Sequence, residues 1–441
     1  MKHSFLLSLL LIVLSALTCK AQISFDVEPL KHKKAKSGKK QFLKKVDNTV
    51  LSFANKTSFD PNYVTRPEKK WKVTLYGSET YSTYRLRIPC PDIREDILAA
   101  LKHSGYATDD INFNDMPGYK KLSTYDLDLY SSKQAIQLGL HYMGLGVKYS
   151  FNLNKGHNRQ ISIEYLGARF GGYLDYHHTT RMKGNMYDAS AGALDALLNR
   201  IYHSMDNTIP EYNPSELIKE NTKKIAPQFN NQTILHAQVH YIFNYRKFSY
   251  AAAKTANRIQ KRSAGSCIAL ADYYQNRAYF DQSIMINDGE RFRTNKLALG
   301  FGYGYNWTPN RGKLLVHASF IPSINVLCHS VYKRSELTEE QFNKDKLEYE
   351  NESGPGSYIY QTYDDAKKAY SAFDKRVTNC IKDDTKLALN CTGRLSVIYN
   401  INKEIVAGIF GSMQYSHHAN QHDYYIKELN TNVLAFVGYR F

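Results

Sequence analysis

The stretch KLALGFGYGYNW, residues 296–307, alternates without a break. Leu297, Leu299, Phe301, Tyr303, Tyr305 and Trp307 fall on one face of an extended chain, and Lys296, Ala298, Gly300, Gly302, Gly304 and Asn306 on the other, because successive side chains of a strand point to opposite sides. A soluble sandwich strand can alternate as well. Its core, however, would pack poorly against bare glycines. A strand with lipid outside and water or loops inside needs just this division. The pattern recurs in GLGVKYSFNL (144–153), QTILHAQVHYIF (232–243) and KLALNCTGRLSVIY (386–399). Each is at least as long as the roughly 9–11 residues with which a tilted strand crosses a bilayer.

The spacing therefore predicts an all-β fold: an antiparallel transmembrane β-barrel of about twelve strands, with short periplasmic turns and long extracellular loops. TPNRG (308–312) and NINK (400–403) supply turn residues, while residues 179–231 and 326–385 are the long loops. Within the first, residues 190–205 have helical spacing, as do residues 92–105 nearer the start of the chain. Residues 244–266 read as two strands with a turn, or as one long irregular turn. Mean hydropathy is −0.50, which does not argue against a barrel, since only every second strand residue meets lipid. The 35 tyrosines against 2 tryptophans suit membrane interfaces, where an apolar ring with a polar tip is at home.

The two ends of the chain agree with export to an outer membrane. Residues 1–21 have a basic start, an apolar run and a small residue at Ala21, the layout of a secretory signal peptide cleaved before Gln22. Residues 22–65 form a lysine-rich segment expected to be disordered, and residues 66–441 the barrel. The net charge of +17 points to anionic surfaces rather than nucleic acid, given the leader. At the other end, Val433, Ala435, Val437, Tyr439 and Phe441 alternate to the free carboxylate. Tyr439 and Phe441 are the expected signal for the outer-membrane barrel assembly machinery, recognised by strand addition. The remaining expected partner is outer-membrane lipid.

The segments LGLHYMGLGVKYSFNL (138–153), YIFNYRKFSYAAAKTANRIQKRSAGS (241–266) and LGFGYGYNW (299–307) carry a family resemblance. The chain resembles domain of unknown function 4421, a family of uncharacterised outer-membrane proteins typical of Bacteroides-type bacteria. Lys247–Tyr250 and Gln260–Ser266 are its most specific pieces. The resemblance implies an outer-membrane barrel and no chemistry.

Candidate functional residues follow from the polar faces. His236, Gln238, His240, Lys296, Asn306, Lys386, Asn390 and Arg394 should point into the lumen, an inner set with more positive than negative charge. Glu164, Asp272 and Glu404 are carboxylates suited to pair with Lys148 or Arg394. No motif specifies a catalytic site, a metal or a cofactor, and the expected function is a small-solute channel or a structural, surface-displaying platform. The alternative is an outer-membrane enzyme modifying lipid or glycan through the His236/His240 row, with Ser266 as nucleophile. Loss of the leader removes Cys19 and leaves five cysteines of six. Cys328 and Cys380, near the ends of the second long loop, are the candidate disulfide in an oxidising compartment.

Overall fold

The computed structural model describes residues 59–89, 98, 116–153, 159–187, 189–205, 208, 210–225, 230–280, 290–353, 361–381, 385–420 and 424–441. The leader, the lysine-rich stretch, Cys90 and all of 92–105 except Leu98 lie outside these residues.

Twelve antiparallel strands close on themselves. They are β1 Trp71–Pro89, β2 Thr124–Tyr142, β3 Leu145–Asn152, β4 Arg159–Leu166, β5 Phe170–Thr180, β6 Asn230–Ile242, β7 Ala264–Phe280, β8 Glu290–Trp307, β9 Leu314–Arg334, β10 Thr385–Asn400, β11 Ile405–Asn420 and β12 Tyr425–Arg440. Each pairs with the next, and β12 returns to β1 in unbroken register from Tyr425↔Arg87 to Arg440↔Lys72. Phe441 completes that seam. Its N–H donates to the Trp71 carbonyl at 3.0 Å and its carbonyl accepts from the Trp71 N–H at 3.2 Å. No helix among the described residues is long and apolar enough to cross a membrane, so any crossing that these residues make is made by strands.

One rim carries short links at residues 143–144, 167–169, 308–313 and 401–404, together with Trp71 and Phe441. The opposite rim carries the long connections. Three expectations about them change. β9 extends to Arg334, so the second long loop starts at residue 335 rather than at 326 as the alternation suggested. Most of that loop is helical, with α4 Glu339–Ser353 and α5 Tyr363–Cys380 (counting from α1 Ala189–Met205, α2 Pro214–Glu220 and α3 Tyr250–Thr255). The segment 244–266 is neither a strand pair nor an irregular turn: it contains α3, and Ile259–Gln260 pairs with Val64–Thr65.

The outward face is apolar along the middle of the barrel, with Leu299, Phe301, Tyr303, Tyr305, Trp307, Leu395 and Val397 all exposed. Toward the long-loop rim the polarity inverts. On β1, Arg85 and Arg87 face outward while Leu86 and Ile88 are buried inside; on β8, Arg291 and Arg293 face outward and Phe292 inward. A strand leaving the bilayer must exchange lipid for water on its outer face, so the inversion marks the edge of the apolar belt. Inside this extension, Ala189, Ala193, Ala196 and Leu197 of α1, one helical face, pack with Val377 of α5 against Tyr84, Leu86, Leu127, Leu129, Phe292 and Ile426. The long-loop end of the lumen is thus filled by an ordinary hydrophobic core.

Candidate functional site

The other end is filled by α3. Its segment leaves β6 at the short-turn rim and turns up into the lumen. Ser249 caps it, its hydroxyl accepting from the Ala252 N–H at 3.2 Å. Phe248, Tyr250 and Ala251 pack on Ile242, Ile268 and Ile321, and Ala252, Ala253 and Ala256 on Tyr76, Leu315, Ile398, Val406 and Phe436. Gly304 on the inner face of β8 makes room for it: a Cβ there would stand 3.2 Å from the Phe248 ring and 3.1 Å from Ile268. Three carbonyls at the C-terminal end of α3 are held by the barrel wall. Ser396 donates to the Ala253 carbonyl at 2.8 Å, Arg440 to that of Ala256 at 3.0 Å, and Lys72 to that of Thr255. Two of these donors are cations at a helix C-terminus, where the partial negative charge favours them. Gln260 ties the segment to itself, accepting from the Ser249 N–H at 2.9 Å and donating to the carbonyls of Lys247 and Arg262.

Six of the sequence-derived lumen residues are buried: His236, Gln238, His240, Lys296, Asn306 and Arg394. Asn390 is half-buried and donates to Asn325; the Lys386 side chain lies outside the described residues. Several of them serve the plug. Asn306 donates to the Ser249 carbonyl at 2.9 Å and to Gln260 at 3.0 Å, and its own oxygen meets His317 Nδ1 at 2.8 Å. Arg394 bonds the Tyr250 hydroxyl and reaches Gln238 at 3.2 Å. His240 lies edge-on to Tyr250, with centroids 4.9 Å apart.

The others make ion pairs inside the lumen, between neighbouring strands or across it. Lys296 Nζ on β8 meets Glu428 Oε2 on β12 at 2.6 Å, and Glu428 Oε1 accepts from Asn276 at 2.6 Å. His236 pairs with Asp272. Glu164 receives Lys148 at 3.1 Å and, from the plug, Lys254 at 3.5 Å. Between the plug and the long-loop core remains a polar chamber of about 190 Å³, walled in part by Ser82, Gln137, Ser162, Tyr173, Gln414 and Asn430, with Lys148, Lys254, Arg394 and Asp175 as its charges.

The structure does not assemble a Ser–His pair from the residues proposed for one. The Ser266 hydroxyl accepts from the Asn244 N–H at 2.9 Å and donates to the Cys267 carbonyl at 2.7 Å. Its role is to shape the turn into the plug. No group of three or more His, Cys, Asp or Glu side chains with metal-binding geometry occurs among the described residues. The expected Cys328–Cys380 disulfide is not formed; all four described cysteines are thiols. The longer β9 is the reason. Cys328 lies within that strand in register with Lys296, whereas Cys380 ends α5, its carbonyl held by Asn420 of β11 at 2.6 Å.

A closed twelve-strand barrel with an apolar outer belt and a packed lumen defines this chain as a transmembrane β-barrel protein. It belongs to the family described as Domain of unknown function (DUF4421), whose model matches residues 58–441. No curated protein matches the chain. Similar solved structures include the outer membrane protease OmpT of Escherichia coli, at 7% identity over 85% of this chain and 97% of that one, TM-score 0.36. The translocator domain of the autotransporter NalP from Neisseria meningitidis shares 8% identity over 92% and 98%, TM-score 0.30. The toluene transporter TodX of Pseudomonas putida shares 8% over 85% and 91%, TM-score 0.28. Likenesses this distant say nothing about this chain's chemistry.

Proposed function

We propose that the protein is an outer-membrane barrel that stays closed at rest and serves as a platform, with its short-turn rim in the periplasm and the helices of its long connections outside the cell. The observation that carries this reading is the plug, an apolar helix whose terminal carbonyls are bonded by side chains from β1, β10 and β12. An open pore does not anchor an obstruction to three strands of its wall. The outer membrane is the compartment that suits an exported barrel with an apolar belt, and outer-membrane lipid and the barrel assembly machinery are the partners this location supplies.

A gated channel for a small polar solute is the second reading, favoured by the polar chamber of about 190 Å³. Planar bilayers separate the two. The parent protein should be electrically silent, and a variant in which residues 249–257 are replaced by a flexible Gly-Ser linker should conduct. Steady conductance by the parent would defeat the closed platform. Conductance that appears only on adding a solute would favour the channel.

A further inference from the structure

Just beyond the apolar belt, the outward face of β7, β8 and β9 gathers cations. Arg277 on β7 stands directly opposite Arg293 on β8, and Arg291 on β8 opposite Lys333 on β9. All four are exposed. Directly opposed side chains of an antiparallel pair have Cβ atoms only about 4.5–5.5 Å apart, and like charges placed so are destabilising. Six strands away around the ring, β1 and β2 present arginines at the same rim but face each with a carboxylate: Arg85 with Asp128, and Arg87 with Asp126. The chain thus neutralises its rim arginines on one side of the barrel and sets cation against cation on the other. Among the described residues no carboxylate pairs with the four. Arg293 reaches Asn295 at 3.4 Å, and Arg291 lies over the Tyr279 ring at 5.4 Å.

Position narrows what would compensate them. Leu299 on β8, Leu327 on β9 and the rings further down β8 are exposed in the belt beneath. Arg293 is four residues from Leu297, roughly 13 Å along the strand and roughly 10 Å above it after barrel tilt, which is headgroup depth. Guanidinium forks bind phosphate oxygens two at a time. Two arginines facing one another can grip one phosphate from both sides, turning their repulsion into a site.

We infer that Arg277, Arg291, Arg293 and Lys333 bind the phosphate groups of an outer-leaflet lipid whose acyl chains lie along the belt of β7–β9. The inference rests on the outer-membrane reading above. Native mass spectrometry of the full mature chain in detergent tests it, with bisphosphorylated lipid A and its dephosphorylated form as probes. The parent should prefer the phosphorylated form by about tenfold or more, the size expected of one or two charge-assisted hydrogen bonds. Arg277→Gln/Arg293→Gln, and the quadruple variant that adds Arg291→Gln and Lys333→Gln, should lose that preference. Arg85→Gln/Arg87→Gln should keep it. Equal binding of both lipid forms by the parent, equal loss in the β1 variant, or inorganic phosphate displacing lipid A completely would each overturn the assignment. Heat-dependent gel migration of every variant reports the barrel separately. Its absence in the parent would defeat the membrane reading and the lipid site with it, whereas its presence beside a null lipid result defeats only the site.

Discussion

At the scale of single residues, the lumen is governed by charge burial. Lys296 and Glu428 are both nearly inaccessible, at 3% exposure each, and each is the other's countercharge. Lys296→Met should therefore destabilise the barrel by about 3–5 kcal/mol, since it strands a buried carboxylate. Lys296→Met/Glu428→Leu should recover much of the loss, because well-packed apolar pairs often replace buried ion pairs at little cost. Urea unfolding in detergent measures both. An unchanged midpoint for the single variant would mean that water, not Lys296, balances Glu428. Glycine 304 makes a different point. A leucine there would meet the Phe248 ring and Ile268 before its own side chain was placed, so Gly304→Leu should displace the plug while leaving the strand ladder intact. Raised conductance in planar bilayers, with unchanged heat-dependent migration, is the expected outcome.

At the scale of elements, both ends of the lumen are sealed by helices that depend on the wall for their position. A six-residue helix such as α3 has no stability of its own in water, because nucleation costs more than a few hydrogen bonds return. It persists because the wall supplies apolar contacts and terminal partners. The helix α5 is held to the end of β9 by Arg334. That side chain donates to Asp374 at 3.2 Å and lies 4.1 Å from the centroid of the Tyr370 ring. Arg334→Ala removes an ion pair and a cation–π contact together, about 1–2 kcal/mol locally. Limited proteolysis should then cut residues 335–384 several-fold faster, with the barrel body unaffected. Unchanged cleavage would show that the apolar face of α5, through Val377, suffices.

At the scale of the whole molecule, the barrel has no free edge because its last residue pairs with its first strand. Deleting Phe441 removes two backbone bonds from the seam and the exposed ring that stacks on Tyr439 at 6.3 Å. Export should continue while outer-membrane yield falls, the protein accumulating in the periplasm or being degraded. The parent should migrate differently in cold and boiled detergent gels. Full yield from the deletion would remove Phe441 from assembly.

The alternation in KLALGFGYGYNW and its counterparts determined the class of fold, since a period of two with lipid-type residues on one face has few solutions, and twelve strands close the ring. The helix at 189–205 was legible from its spacing. So, in principle, was the exit from the bilayer: ERFRTNKLALG switches from polar-out to apolar-out within one strand, a signal hidden by reading only the apolar half. The plug was not legible, because YAAAKT is too short for a periodic signal and nothing local says which way it turns. Its partners Lys72, Ser396 and Arg440 lie more than 140 residues away in sequence. Nor could spacing place Cys328, whose environment depends on how far β9 extends. Which strand residues face inward is a local property, fixed by backbone geometry and so written in the sequence. Which of those inward residues meet across the lumen depends on closure of the ring, and only the tertiary structure decided that.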